Sequence, residues 1–282
     1  MKFIDLHVHS NYSDGTLSPT ELVSLAIERG LLAFALTDHD TVDGVDEAIL
    51  AAKAASLKGS DVTVIPGTEL SASYQGGDIH ILGLCINHHS PALLQVLKEA
   101  AEEREDRNHK MCRNLQEAGI PITVEKMKED CKDAILTRAH FAKFMLKEGY
   151  VSSMKEAFTK YLDSSTPYYV TREYLSPKKA IELILQAGGV PVLAHPLLYK
   201  LPSLQLETLI QELKFYGLLG IEAIYSNNIN NDEAYVRSLA RKYDLMITGG
   251  SDYHGLVKPD IDLGTGRGNL RIPESILRDL GL

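Results

Sequence analysis

The chain has 282 residues, of which 44% are hydrophobic and 24% are charged, a balance typical of a globular protein with a sizeable core. Its formal net charge of −9 argues against a broad basic surface for long nucleic acid. A small phosphorylated substrate is compatible with this charge, because bound cations would reverse the local electrostatic field.

The opening residues do not resemble a signal peptide, and no apolar stretch approaches the roughly 18 residues needed to cross a bilayer. We therefore expect no membrane association. The three cysteines, Cys85, Cys112 and Cys131, are scattered and lack CxxC spacing. Such cysteines are typical of reduced thiols, so the sequence predicts a cytoplasmic protein.

The first ninety residues alternate short apolar runs with amphipathic stretches. The clearest boundary is a helix start, where Ser18 is the N-cap, Pro19 takes the first helical position and Glu21 completes a capping box. Gly30 is a suitable C-terminal stop for this helix. In chain order, the predicted elements are a strand at 3–8, this helix, a strand at 33–37, a helix at 45–55, and strands at 62–65 and 79–84 without a full helix between them.

The middle of the chain has a different character, rich in Lys and Glu, helical in period and without clear strands. Strand–helix alternation then returns, with predicted strands at 190–194, 220–224 and 245–248. Such alternation implies mostly parallel strands. We predict an α/β fold in which residues 1–90 and 170–282 form a β/α barrel and residues 91–169 form a helical insertion.

Imidazole and carboxylate side chains recur at the ends of the predicted strands, or within one. His7 and His9 are two apart, so on an extended backbone both point to the same face, as chelation of one ion requires. A single histidine of this kind is usually structural. In a barrel, however, the C-terminal ends of the strands meet at one mouth, so the recurrence favours one shared pocket and a barrel over an open sheet. The candidate ligands are His7, His9, Asp14, His39, Glu69, His80, His195, Asp252 and His254.

The chemistry of these candidates narrows the choice of metal ion. The set contains six His, two Asp and one Glu, and no cysteine. It suits Mn, Fe or Zn, and it argues against soft thiolate sites or an all-oxygen calcium cage. Nine ligands exceed the needs of one ion, so we expect two or three divalent ions. A multinuclear centre favours the hydrolysis of a phosphate ester.

The motifs that contain these residues resemble those of the PHP (polymerase and histidinol phosphatase) family. The matching segments are 5–10, 13–15, 37–40, Glu69, His80, 195–196 and 251–254, in that order. They span nearly the whole chain outside the insertion. The resemblance implies a distorted seven-stranded β/α barrel, and it is strongest toward the stand-alone branch that includes nucleotide phosphatases and short-RNA 5′ exonucleases.

The resemblance also implies a trinuclear site in which the Glu69 carboxylate bridges two ions. Some relatives have histidine where Asp14 stands, so the third ion can differ here in affinity or identity. The implied ligand sets are His7, His9, Glu69 and Asp252 for the first ion, Glu69, His80 and His195 for the second, and Asp14, His39 and His254 for the third.

The expected reaction is attack on phosphorus by a hydroxide that bridges the first two ions, because the ions lower the pKa of water. The leaving oxygen needs a proton or a third cation. His254 with its ion is one candidate, and a water or a nearby acid is another. Asp38 and Asp40 are expected to orient His39 or its neighbours and not to bind a metal. The predicted catalytic residues are Glu69, Asp252 and His254.

The insertion contains a candidate substrate-binding segment, formed by Thr137, Arg138 and His140. An arginine that can grip phosphate with two N–H groups, beside a hydroxyl and an imidazole, suits a second phosphate. The alternative interpretation is a helix N-terminus, with Thr137 as the N-cap and the other two side chains exposed. Nucleotide-processing members of the family carry a similar Thr-Arg-x-His segment, which favours substrate contact.

Two other groups of charged or titratable residues are expected to be structural. Arg104 and Arg107 lie on a charged helix, which usually presents such residues to solvent, although Arg107 is an alternative substrate contact. His88 and His89 are adjacent, and adjacent side chains point to opposite faces of an extended chain. We therefore interpret this histidine pair as part of a loop.

The sequence thus predicts a phosphatase or a 5′-directed phosphodiesterase for a small nucleotide, such as a nucleoside 3′,5′-bisphosphate or a short RNA 5′ end. One alternative is a histidinol-phosphate phosphatase, but an insertion bearing Arg138 fits a substrate with two phosphates better. A second alternative is a metal-stabilised PHP module without catalytic activity, and the full ligand set argues against it. The sequence specifies neither the native metal nor the oligomeric state.

Overall fold

The computed structural model of the protein describes residues 3–130, 135–171 and 175–282. Within these ranges, seven strands form one sheet in which the spatial order equals the chain order. Each predicted strand corresponds to one of them. They are β1 (Phe3–Val8), β2 (Leu31–Leu36), β3 (Thr63–Tyr74), β4 (Gly77–Leu84), β5 (Val190–Leu193), β6 (Gly220–Tyr225) and β7 (Met246–Gly250).

The strands are parallel except at β4, which runs antiparallel to both of its neighbours. The prediction of mostly parallel strands is therefore confirmed, with β4 as the exception. A two-residue turn, Gln75-Gly76, joins β3 to β4, and both residues have positive φ (48° and 82°). Two-residue turns with this conformation match the twist of antiparallel strands and reverse the chain direction. As a result, β4 begins where the other strands end.

The two edge strands of the sheet, β1 and β7, lie next to each other. The Asp252 N–H donates to the His7 carbonyl (2.9 Å), and the His9 N–H donates to the Tyr253 carbonyl (3.0 Å). The approach is close, because a Cβ added to Gly250 would overlap the His7 side chain. The sheet is thus a nearly closed barrel. The predicted distorted β/α barrel is confirmed, and the reversed β4 accounts for part of the distortion.

Helices pack around the barrel and extend it on one side. The predicted capping box of the first helix is present, with the Glu21 N–H donating to Ser18 Oγ (3.2 Å) and the Ser18 N–H donating to Glu21 Oε2 (2.8 Å). The α-helices of the described ranges are α1 (Pro19–Glu28), α2 (Val45–Ser56), α3 (Pro91–Glu117), α4 (Val124–Asp130), α5 (Arg138–Lys147), α6 (Met154–Ala157), α7 (Pro177–Gln186), α8 (Ser203–Tyr216), α9 (Asp232–Lys242) and α10 (Ser275–Asp279).

The apolar residues of the sheet divide between two clusters, because successive side chains of a strand point to opposite faces. In β2, Phe34 and Leu36 join a cluster that includes residues of the surrounding helices, such as Ile181 and Leu209. Ala33 and Ala35 join a second cluster on the other face of the sheet. Both faces of the sheet are therefore covered, as mainly parallel sheets require.

The segment between β4 and α7 has its own apolar core, formed by α3 to α6 and a π-helical turn at Phe158–Leu162. Met111, Phe141 and Met145 are fully buried in it. The described part of residues 91–169 contains helices and no strand, as predicted. Its boundaries as a separate unit stay a prediction.

Two of the three cysteines are free thiols, Cys85 and Cys112, and Cys131 lies outside the described residues. Burial raises the pKa of Cys112 to about 12, so this thiol is unreactive at neutral pH. None of the helices in the described ranges combines the length and the apolar character that crossing a bilayer would demand.

Candidate metal centre and phosphate pocket

The nine predicted ligands form one contiguous cluster at one end of the barrel. His7 is the next-to-last residue of β1, and His195 and Asp252 lie two residues after the ends of β5 and β7. His80 reaches the same end from the first half of β4, because that strand is reversed. Glu69 was expected after the third strand, which is wrong: β3 continues to Tyr74, so Glu69 lies inside it.

Glu69 is the centre of the cluster, and its Oε2 atom faces three imidazoles. Oε2 lies 3.2 Å from His7 Nε2, 3.3 Å from His9 Nε2 and 3.0 Å from His39 Nδ1. Donor atoms that share a tetrahedral ion are about 3.3 Å apart, since metal–nitrogen bonds are about 2.0–2.1 Å long. The distances to His7 and His9 therefore match those of ligands around one cation, and the second ring nitrogen of His39 is directed at Asp14.

The other oxygen of Glu69 faces a different pair of imidazoles. Oε1 lies 2.8 Å from His80 Nδ1 and 2.9 Å from His195 Nε2. Burial alone would raise the pKa of Glu69, but the surrounding imidazoles, led by His39 and His80, hold that pKa well below its usual value. Glu69 is thus an ionised carboxylate that presents one oxygen to each of two histidine groups.

Asp252 approaches the first of these groups from the segment after β7. Its Oδ1 lies 3.7 Å from His7 Nε2 and 3.5 Å from His9 Nε2. Its Oδ2 accepts from Lys258 Nζ (2.6 Å) and from the Tyr225 hydroxyl (2.7 Å). Burial opposes ionisation of Asp252, but Lys258 and the neighbouring imidazoles hold its pKa well below the usual value. The carboxylate therefore offers Oδ1 to a cation while Oδ2 is anchored.

A further group surrounds Asp14. His254 Nε2 lies 3.1 Å from Asp14 Oδ1, and His39 Nε2 lies 3.9 Å from Asp14 Oδ2. With His9, these residues place four ligand atoms within 4.8 Å of one another. His254 Nδ1 lies 2.9 Å from the Asp252 carbonyl, which can only accept, so Nδ1 carries the proton. The Nε2 lone pair of His254 is consequently directed at the Asp14 group.

The cluster fits a metal centre on its own chemistry. His7 Nε2, His9 Nε2 and Asp14 Oδ1 are buried and make no hydrogen bond within the described part of the chain. Buried polar atoms are normally paired, and bound cations are one way to satisfy them. The ligand atoms are imidazole nitrogens and carboxylate oxygens, which suit divalent transition ions.

The backbone at this end of the barrel is strained. Asp40, His195 and Asp252 have φ values of 52°, 28° and 58°, in a region that L residues rarely adopt. Such conformations persist only where surrounding contacts impose them, and they concentrate at functional sites.

The structure adds one carboxylate that was not predicted from the sequence, and it contacts two of the histidines. Glu222 is fully buried in β6, with Oε1 3.0 Å from His7 Nδ1 and Oε2 accepting from the His195 N–H (2.8 Å). A carboxylate in this position fixes the orientation of a metal-binding imidazole and raises its basicity. The available signal was a single acid within the apolar run of β6, Gly220–Tyr225.

The expected supporting role of Asp38 and Asp40 takes a specific form. Asp38 accepts from the hydroxyls of Ser10 and Ser13 (2.6 Å each), and so holds the segment that leads to Asp14. Asp40 accepts from the Ser71 N–H (2.8 Å). Asp38 thus positions the segment before Asp14, and Asp40 positions the Ser71 backbone in β3.

We expect Glu222→Gln to weaken metal binding and phosphoester hydrolysis by about 10-fold to 100-fold, because one of its two acceptor oxygens becomes an NH2 group. Metal content and turnover of the purified variant measure the effect. Glu233→Gln, in α9 and away from these contacts, is the matched control. Loss of folding without change in metal affinity per folded molecule would contradict the assignment.

Beside the ligand cluster lies a solvent-open pocket with an empty volume of about 530 Å³. One wall belongs to the metal centre and the other to the helical segment. Its lining residues are Asp14, His39, Ser71, Asp78, His80, Arg104, Arg107, Thr137, Arg138, Ala139 and Phe158.

Two of the lining arginines are not exposed to solvent as the sequence predicted. Arg104 and Arg107 were expected on a solvated face, but they are buried, at 6% and 4% exposure. Arg104 forms an ion pair with Asp40. Arg107 Nη1 lies 2.9 Å from Met111 Sδ. The face of α3 that holds them packs against the barrel, a fact that the charged helix sequence does not reveal.

The Thr137 segment is the start of a helix, as the second interpretation of its sequence held, and it also faces the ligand cluster. Thr137 is the N-cap of α5, accepting from the Ala139 N–H (3.2 Å), and its hydroxyl also donates to Asp14 Oδ2 (3.2 Å). Arg138 lines the pocket, 3.4 Å from Asp78 and stacked over Tyr169. These contacts place the start of α5 directly at the metal cluster.

His140 is buried at the start of α5. Its Nδ1 accepts from the Thr137 N–H (3.0 Å), which completes the cap. Burial lowers the pKa of His140 to about 4, so the ring is neutral at pH 7. The expectation that this side chain is exposed in the cap alternative is wrong, because it is buried.

A barrel that gathers imidazoles and carboxylates around a bridging carboxylate, beside an arginine-lined pocket, has the architecture of a metal-dependent phosphoesterase, and this chain is a hydrolase of phosphoester bonds. The chain belongs to the PHP domain family, whose model matches residues 5–190.

Similar proteins extend this match over nearly the whole chain. A 5'-3' exoribonuclease of Haemophilus influenzae is 36% identical over 253 residues, covering 90% of each chain. A 3',5'-nucleoside bisphosphate phosphatase of Chromobacterium violaceum is 35% identical over 265 residues, covering 94% of this chain and 91% of the relative. The solved structure of a metal-dependent phosphoesterase of Bifidobacterium adolescentis has a TM-score of 0.86 and 27% identity, covering 99% and 95% of the two chains.

Proposed function

We propose that this protein hydrolyses phosphate esters of small nucleotides, either nucleoside 3′,5′-bisphosphates or the 5′ ends of short RNA. The observation that supports this proposal is the pocket shared by three arginines, Arg104, Arg107 and Arg138, and by the ligands of the metal centre. One phosphate can lie against the metal centre while the arginines neutralise a second phosphate. The names of the two relatives at 35–36% identity describe enzymes for such substrates.

Two or three divalent ions, Mn, Fe or Zn, would occupy the cluster. The separate directions of the two Glu69 oxygens support its role as a bridge between the first and second ion. The proposed ligand sets are His7, His9, Glu69 and Asp252 for the first ion, Glu69, His80 and His195 for the second, and Asp14, His39 and His254 for the third.

Bound divalent ions would lower the pKa of a coordinated water and neutralise charge on the phosphoryl oxygens. Glu69 and Asp252 hold negative charge at the centre, and Lys258 fixes the orientation of Asp252. The Nδ1 proton of His254 is engaged by a carbonyl, which supports a role for this residue as a ligand, and a water or a nearby acid would then supply the proton for the leaving oxygen.

Substrate recognition is assigned to the helical segment, residues 91–169, acting as a cap over the metal centre. Arg138 and Thr137 lie at the boundary between the helical segment and the metal centre, and Arg107 lines the same pocket. His140 supports this boundary through the Thr137 backbone. The formal net charge of −9 argues against binding of long nucleic acid and favours a short nucleotide.

A phosphate-release assay tests the proposal. With Mn²⁺, adenosine 3′,5′-bisphosphate and a short 5′-phosphorylated RNA are expected to be better substrates than histidinol phosphate. Preference for histidinol phosphate would support the alternative phosphatase. Release from none of these substrates by the metal-loaded protein would indicate a non-catalytic module.

Arg138→Ala is expected to raise KM for adenosine 3′,5′-bisphosphate by about 10-fold to 100-fold, the cost of one charged hydrogen bond. Hydrolysis of p-nitrophenyl phosphate, which has a single phosphate, should change far less. Arg113→Ala, on the exposed side of α3, is the matched control. An equal loss on both substrates would mean that Arg138 has a structural role.

A further inference from the structure

A second group of side chains of the types that bind metals lies outside the cluster described above. We call it the α2–β4 triad, and it consists of Asp46, in the first turn of α2, and His88 and His89, in the turn between β4 and α3. His88 Nε2 lies 2.9 Å from Asp46 Oδ1, and His89 Nε2 lies 3.5 Å from the same oxygen. The three ligand atoms are within 4.8 Å of one another.

His88 and His89 lie in a loop, as predicted, but their rings do not point to opposite faces. A tight turn brings both rings to the same side, with centroids 4.1 Å apart. The Ser90 N–H donates to the Asn87 carbonyl (2.9 Å), and the His89 N–H donates to Asn87 Oδ1 (3.1 Å). The alternation of side chains applies to an extended backbone and not to such a turn.

The geometry of the triad matches that of a coordination site. Ligand atoms around a tetrahedral ion are separated by about 3.3 Å, and the two imidazole–carboxylate distances lie on either side of that value. The Asp46 side chain is 61% exposed and that of His89 is 64% exposed, which leaves room for water as the remaining ligand. His88 is only 13% exposed, so one ligand is held firmly.

We propose that the α2–β4 triad is a peripheral binding site for a borderline divalent ion such as Zn²⁺. Two imidazoles and one carboxylate select Zn²⁺ or its neighbours over Mg²⁺ and Ca²⁺, which prefer all-oxygen ligands. The site is separate from the proposed hydrolytic function and does not rest on it.

Occupancy of the triad would join two parts of the molecule. Asp46 belongs to a barrel helix, and the two histidines immediately precede α3, which begins at Pro91. Helix α3 also carries Arg104 and Arg107, which line the pocket beside the ligand cluster. An ion that binds only the folded state stabilises it, so zinc is expected to strengthen the attachment of α3 to the barrel.

The test compares zinc content in the untagged full-length protein and three variants. After equilibration with Zn²⁺ and gel filtration, His89→Ala and Asp46→Ala should each hold about one zinc ion less per chain than the unsubstituted protein. His109→Ala, which removes a histidine from α3, is the control and should keep the full content. Equal zinc content in all four proteins would overturn the proposal.

A stability measurement provides an independent readout. Zn²⁺ added to the Mn²⁺-loaded protein should raise the Tm of the unsubstituted protein, and His89→Ala should reduce this increase to the part that comes from Zn²⁺ binding at the nine-ligand cluster. Because His89 is exposed, its removal is not expected to impair folding, and circular dichroism checks this. An undiminished Tm increase in His89→Ala would likewise overturn the proposal.

Discussion

Glu69→Gln is expected to lower the turnover of phosphate esters by at least about a thousandfold and to release bound divalent ions. Both oxygens of Glu69 face imidazoles, with Oε2 3.2 Å from His7 Nε2 and Oε1 2.9 Å from His195 Nε2. The replacing amide has the same shape but no charge, and its NH2 group cannot bind a cation. Two of the proposed ion sites would thus lose a ligand at the same time.

Metal content and kcat of the purified variant measure this outcome. Glu222→Gln is the graded comparison, because Glu222 acts through His7 and His195 and should have the smaller effect. The folded state of Glu69→Gln is expected to persist, since the barrel core does not depend on this carboxylate. A variant that kept its metal and most of its turnover would refute the placement of Glu69 as the bridge.

Arg104→Met is expected to lower the free energy of unfolding by about 3 kcal/mol, the usual cost of removing one partner from a buried ion pair. The side chains of Arg104 and Asp40 are 8% and 2% exposed, so the remaining carboxylate would stay largely out of water. Asp40 also accepts from the Ser71 N–H and hydroxyl (2.8 and 3.0 Å), which limits the loss. The loss of stability should be largest at the contact between α3 and the barrel.

Urea unfolding measures this change, and a double variant isolates the ion pair. Arg104→Met combined with Asp40→Asn should regain part of the lost stability, because the carboxylate that lost its partner is then replaced by a neutral amide. Asn tolerates the positive φ of 52° at this position. Arg113→Met is the exposed control and should change stability by less than about 0.5 kcal/mol. Equal losses in the single and double variants would show that the ion pair is not the cause.

The sequence predicted the position of Glu69 at the site but not the burial of Arg104. Glu69 was recognised as a candidate ligand because carboxylates and imidazoles recur along the predicted strands. Arg104 was assigned to a solvated helix face, and the structure buries it. The difference arises because the ligand pattern repeats locally along the chain, whereas the burial of α3 depends on a distant segment.

The amino-acid sequence by itself determined the barrel, the helical character of the middle segment and the identity of the nine candidate ligands. These features follow from local signals: alternation of apolar residues, the capping box at Ser18, and polar residues that end strand after strand. The spacing of His7 and His9 was sufficient to predict that both face the same way.

Only the tertiary structure decided how those elements combine. It reversed β4, placed Glu69 inside β3, and brought Glu222 behind His7. It also turned His88 and His89 toward Asp46. The physical reason is that strand direction, burial and side-chain convergence are set by contacts between residues far apart in the chain, and periodicity within a single segment does not report those contacts.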